Sequence, residues 1–192
     1  MLGTTKGIVM KSITEQLARY KSVHLNSKNI SSHFVGVPLI VFAVTLLLNT
    51  ITFELEFSNL FDSALRLKFT LAMVIFTFVA LYYSLLHRLL ALGMVGYILL
   101  NLYLAHLCSD VSGILSLAIG LFVVGWIIQF IGHYYEKAKP AFVDDLSQFL
   151  IGPLFLMAEV YFMLGLAPKL NAKVSVLARE KRKALDAKNA VS

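Results

Sequence analysis

The chain has 192 residues, 58% of them hydrophobic and 15% charged, whereas a soluble domain carries about a quarter charged residues. Its net charge is +6, but the basic residues flank apolar blocks and form no basic-aromatic motif, which argues against a nucleic-acid binder. Its one cysteine, Cys108, excludes an intramolecular disulfide, and no phosphate loop, zinc-protease helix motif or nucleophile elbow is present.

The apolar residues fall in blocks of roughly 17 to 22, the length that crosses a bilayer core of about 30 Å. A polytopic, all-α membrane bundle is expected, with residues 1–192 forming one domain. The first 29 residues contain no apolar core of signal-peptide length, so the first membrane helix is expected to serve as its own insertion signal. Ile13, Leu17 and Tyr20 recur at helical spacing. They predict an amphipathic helix from about Ser12 to Ser22, lying on the membrane surface, with Ser12 among its candidate caps. "LNSKNISS" reads as a turn, with Ser31 or Ser32 capping the next helix.

The first membrane helix is expected from His33 to Ile51. "TFELEFSNLFDS" reads as a loop or short surface helix bearing Glu54, Glu56 and Asp62. A second membrane helix is expected from Leu67 to Leu86, a turn at His87–Arg88, a third helix from Leu89 to Leu107, and a fourth, capped by Ser112, from Gly113 to His133. The stretch after His133 is a polar loop, in which Asp144 and Asp145 read as a helix cap or as solvated. A fifth apolar block, Leu146–Leu166, contains Gly152-Pro153 and Glu159. Proline breaks or kinks a helix, and a membrane-buried acid faces protein. The residues after Ala167 read as a fraying basic surface helix.

Orientation follows the Lys and Arg residues in short loops. Lys6, Lys11, Arg19, Lys21 and Lys28 place residues 1–32 inside, and the acidic first loop goes outside. A straight fifth crossing would expel the basic segment 168–192. A broken or re-entrant inner element is therefore expected within the 33–167 bundle, with a fifth span as the alternative. Four of the five histidines, His24, His33, His87 and His133, then share the inner interface, and His106 lies a membrane thickness away. Imidazole is a common ligand for iron, copper and zinc. Trp126 and the tyrosines Tyr82, Tyr83, Tyr134 and Tyr135 read as an aromatic belt or packing.

Three motifs sharpen this reading: H-x-N-x-x-N from His24, H-F-V-G-V-P from His33, and W-I-I-Q-F-I-G-H-x-x-E-x-x-x-P-A from Trp126 to Ala141. In order and spacing the chain resembles the 2-hydroxy-palmitate dioxygenase family of fungi, bacteria and plants, from about Gln16 to Leu170. Ser27 stands where that pattern has proline. The resemblance implies an iron(II)-dependent membrane enzyme that shortens 2-hydroxy fatty acids by one carbon, in the bacterial inner membrane or the endoplasmic reticulum. It implies His24, His33 and His133 as metal ligands and catalytic residues; His87, which matches no motif position, is an optional fourth ligand from its place at the inner interface. Glu136 is either a further ligand or an acceptor that orients a ligand ring. Asn26, Asn29 and Gln129 match further motif positions and, with Lys137, are assigned to the substrate; Lys28 and Lys139 are other candidates for its carboxylate. Pro140 completes the motif. Three protein ligands leave room on a six-coordinate ion for a chelating 2-hydroxy acid and for dioxygen. The competing readings are a diiron lipid hydroxylase or desaturase, which needs more than the five histidines present, and a non-enzymatic scaffold or transporter.

Overall fold

A computed structural model describes residues 12–60, 63–141 and 145–190. Lys6, Lys11, Asp62 and Asp144 lie outside the described residues. The described residues form seven helices and one two-stranded sheet: α1 (Ile13–Ser22), α2 (Ser27–Asn49), β1 (Thr52–Leu60), β2 (Ser63–Thr70), α3 (Leu71–Leu86), α4 (Arg88–Leu107), α5 (Ile114–Glu136), α6 (Gln148–Met163) and α7 (Pro168–Asn189). Helices α2, α4 and α5 are long and apolar enough to cross a membrane, and α3 and α6 are shorter apolar helices.

The chain is therefore mostly helical but not all-α. Strands β1 and β2 pair antiparallel as a hairpin, setting Phe53 against Phe69, Glu54 against Lys68, Leu55 against Leu67 and Glu56 against Arg66. Apolar and charged residues alternate with period two, so one face stacks rings and the other pairs opposite charges. This replaces the loop or short surface helix expected for this stretch. The hairpin delays α3 to Leu71, leaving it 16 residues long, or ~24 Å at 1.5 Å per residue.

Helix α2 begins at Ser27, upstream of the expected start at His33. Asn26 takes the cap, its side chain accepting the Lys28 N–H at 2.9 Å. The polar stretch that reads as a turn is helical because its side chains find partners: Ser32 donates to the Asn29 carbonyl, and the Asn29 amide donates to Glu136. Ser112 does not cap α5. Gly113 does, at φ 78, a conformation that glycine adopts without steric cost.

Helices α2 and α4 run away from the α1 end of the bundle, and α3 and α5 return to it. At the far end Leu46, Ala105 and Ala118 form a small core, with the Asn49 amide donating to the Ala105 carbonyl. At the near end Leu17, Tyr83, Leu90, Met94, Ile151, Leu154 and Phe155 make the main core. Helix α1 contributes fully buried Leu17 and Ala18 to it, so it packs within the protein and does not lie free on a lipid surface. Helix α6 is continuous through Pro153. Its neighbours are the near-end residues Phe34, Val37, Met94 and Tyr97, and the Tyr83 hydroxyl donates to the Leu150 carbonyl. Glu159 faces protein, paired with Lys21. The basic tail does not fray: α7 packs along α1 and buries Val174 and Ala178 completely.

The closest approach is between α2 and α5, through glycines. A Cβ on Gly36 would lie 2.9 Å from the Gly125 carbonyl oxygen, and one on Gly132 would lie 2.0 Å from Ser32 Oγ and 2.6 Å from Asn29 Oδ1. Small residues at a membrane-helix interface let the backbones approach. Gly132→Ala should therefore separate the helices beside His33 and His133, at a cost of about 1–3 kcal/mol. Thermal unfolding of purified protein in detergent should show a midpoint lowered by several degrees.

Candidate metal centre

The turn between α1 and α2 holds His24, the first part of α2 holds His33, and the last turn of α5 holds His133. All three are buried, at 1%, 2% and 8% relative exposure. Their ring centroids lie 4.4, 4.8 and 5.0 Å apart, and one ligand atom from each falls within 4.8 Å of the others. The three-residue gap between α1 and the Asn26 cap lets His24 fold back beside His33, nine positions later.

Hydrogen bonding sets the direction of the rings. His24 Nδ1 lies 2.6 Å from the Tyr20 carbonyl oxygen, and His33 Nδ1 lies 2.9 Å from the Asn29 carbonyl oxygen. A carbonyl oxygen only accepts, so each Nδ1 carries the hydrogen and each Nε2 presents a lone pair. The two Nε2 atoms lie 3.0 Å apart. Burial, reinforced by His33 and His133, holds the His24 imidazole well below its usual value of 6.5. A shared proton is therefore disfavoured at neutral pH, and two lone pairs face each other without a donor. His133 Nδ1 is also buried and has no hydrogen-bond partner.

These observations fit a metal ion. Ring nitrogens sit ~2.0–2.1 Å from a divalent ion such as zinc, and two at right angles are then ~3.0 Å apart. Three neutral imidazoles are a borderline donor set suited to iron, zinc or copper.

Around the rings, Tyr20 stacks flat on His24, with centroids 4.1 Å apart and planes at 1°. Burial pushes the Tyr20 phenol up from its usual value, so it stays neutral. Glu136 does not join the cluster. Its Oε2 accepts from the Asn26 backbone N–H at 2.7 Å and the Asn29 amide at 3.2 Å, and its Oε1 accepts from Arg182 at 2.8 Å. This carboxylate clasps the histidine-bearing turn, α5 and α7 together. Asn29 also donates to the Val23 carbonyl, and Asn26 to the Tyr135 carbonyl. The Asn26 and Asn29 side chains, read from the sequence as substrate groups, are thus used in shaping the turn. His87 caps α4 by accepting the Leu90 N–H and lies outside the cluster. His106 sits near the C-terminus of α4, at the other end of the bundle. Lys137 ends α5 with φ 54 and is exposed. Lys28 is exposed and packs over the Tyr135 ring.

A cavity of about 70 Å³ opens beside the rings, lined by Tyr20, His33, Trp126, Gln129, His133 and Gln148 among others. Trp126 is a wall of this cavity as well as a packing residue. A second, apolar cavity of about 140 Å³ lies between α2, α4 and α6 and shares Val37 and Pro153 with the first.

The family model described as "2-hydroxy-palmitic acid dioxygenase Mpo1-like" matches residues 10–164. The chain belongs to this family. A curated relative, the 2-hydroxy-palmitic acid dioxygenase MPO1 of Saccharomyces cerevisiae (strain ATCC 204508 / S288c), is 35% identical over 162 residues, covering 83% of this chain and 86% of that protein. No solved structure matches the chain. The Mpo1-like match includes all three clustered histidines and Glu136 but ends before α7, so Arg182 lies beyond it. Sequence reasoning missed Tyr20, Gln148 and Arg182 as parts of the site. Gly132 beside His133 was the one local signal of a close neighbour.

Two outcomes follow. Glu136→Ala would remove the carboxylate that accepts from the Asn26 N–H, the Asn29 amide and Arg182. Metal affinity should fall by about 10–100-fold, measured by chelator competition with metal content as the readout. The depressed His24 value sets a pH dependence in the metal-free protein. Below about pH 6.5 the unfolded chain takes up a proton that folded His24 resists, so stability should fall as pH drops through that value. Unfolding midpoints at pH 7.5 and 5.5 should differ, and by less in a His24→Phe variant.

Proposed function

We propose that this chain is an iron(II)-dependent dioxygenase that converts a 2-hydroxy fatty acid into the acid one carbon shorter. The reaction balances with dioxygen alone: the 2-hydroxy acid and O₂ give the shortened acid, carbon dioxide and water. The observation that carries this reading is the convergence of three buried imidazoles in a chain of the Mpo1-like family. Iron(II) held by His24, His33 and His133 would supply the electrons that activate dioxygen.

The residues around the triad have separable tasks. The Tyr20 and Asn29 carbonyls hold protons on the outer ring nitrogens and keep the inner ones free. Glu136 and Arg182 hold the turn that carries His24. The cavity beside His33 and His133, where Gln129 and Gln148 also stand, receives the acid head, and the adjoining apolar cavity receives the first methylenes. Each methylene kept from water contributes about 0.8 kcal/mol, so a long chain anchors the molecule at this depth. One group of ligand-type side chains among the described residues favours a single ion over a diiron pair.

In this reading the protein is an integral membrane domain with the triad at its cytoplasmic face, where Lys28, Lys137 and Lys139 also lie. Helices α2, α4 and α5 span. Helix α3 returns between their ends as a shorter fourth crossing, and α6 stays within the inner half.

Oxygen uptake by anaerobically iron-loaded protein tests the function. Uptake is expected with 2-hydroxypalmitate and not with palmitate, at one iron per chain. His24→Ala, His33→Ala and His133→Ala should each abolish it, and a chelator should remove it reversibly. Full uptake in a folded His133→Ala protein would refute the site.

A further inference from the structure

Gln148 is the first residue of α6 and is 2% exposed. Its Oε1 is fully buried and has no hydrogen-bond partner among the described residues. Gln129 Nε2, on α5, is in the same condition. Both side chains line the cavity beside His33 and His133. The residues lining this cavity thus include one with a buried unpaired acceptor and one with a buried unpaired donor. A buried polar group left without a partner costs about 1–3 kcal/mol, so the pair is set for a ligand carrying both complements.

Each amide is held in place from behind. Asp145 accepts from the Ser147 N–H and hydroxyl with one oxygen and pairs with Arg19 at 2.7 Å through the other, while its carbonyl accepts the Gln148 N–H. This fixes the start of α6 to α1. Gln129 Nε2 lies against the backbone of Gly36, where a Cβ would sit 2.6 Å away.

An ionised 2-hydroxy acid has oxygens that accept and a hydroxyl that donates. An ionised unsubstituted fatty acid has no donor at its head. We propose that Gln148 selects for the 2-hydroxyl group, its Oε1 accepting the hydroxyl hydrogen while Gln129 Nε2 donates to an oxygen of the same head. The inference rests on the reading of the site as one for 2-hydroxy acids, and it adds Gln148 as the residue that distinguishes them from plain fatty acids.

Trp126 is the single tryptophan of the chain and lines this cavity, so its fluorescence reports binding without turnover. Iron-loaded protein under nitrogen is titrated with 2-hydroxypalmitate and with palmitate. Wild type should bind the hydroxy acid about tenfold more tightly. Gln148→Leu should bring the two affinities together by weakening the hydroxy acid, with palmitate bound as before or more tightly. Gln148→Met, closer in shape, serves if the leucine variant does not fold. A variant that keeps the preference overturns the proposal, as does an equal loss for both ligands, which marks a merely structural role, or a wild type without preference. Oxygen uptake by wild type separates the two levels. Uptake with 2-hydroxypalmitate alongside an unchanged preference in the variant sinks the role of Gln148 alone, whereas absence of uptake sinks the dioxygenase reading.

Discussion

Two short hydrogen bonds from imidazole to backbone govern the site. Each ring leans back on the carbonyl four residues before it: His24 on Tyr20 and His33 on Asn29. One carbonyl closes α1 and the other belongs to the first turns of α2, so both anchors are helical backbone and neither is a mobile side chain. This fixes the tautomer and aims two lone pairs at one point. Without these anchors the rings could rotate and pair with each other through a hydrogen. With them, the 3.0 Å approach of two acceptors is tolerable because a cation can complete it.

The third ring arrives by a different device. Helix α5 presents Gly125, Gln129, Gly132, His133 and Glu136 on one buried face. The glycines bring its backbone against α2, which sets the depth of His133 relative to His33. The same face carries the amide in the cavity and the carboxylate that clasps the turn. A single helical stripe therefore delivers packing, a ligand and a tether, and its register serves all three. Moving one of them moves the others, which couples the stability of this interface to the shape of the site.

The sequence carried the triad well because two independent signals agreed on it. Lys and Arg placement grouped four histidines at one depth, and the three motifs at His24, at His33 and from Trp126 to Ala141 narrowed them to three. Other parts were hidden for physical reasons. "LNSKNISS" looks like a turn because its polar side chains have no local reason to stay in a helix; their partner, Glu136, lies 110 residues from Asn26. The hairpin's alternation was overshadowed by its three acids. Tyr20 reads as one more apolar position of an amphipathic helix, although its ring stacks on His24. Gln148 stands at the edge of an apolar block, where a polar residue reads as a helix boundary. Arg182 sits in a run of basic residues, and only the folded chain distinguishes it from its neighbours. These residues depend on contacts between distant segments, which composition and spacing do not record.

The clasp between Arg182 and Glu136 has a consequence for how the protein matures. Arg182 follows Glu136 by 46 residues, so the ribosome has made all three histidines well before it makes the guanidinium that secures them. A nascent chain paused between these points owns every ligand but lacks the brace from α7. The centre reaches its finished form late in synthesis, after α2 and α5 have both been made.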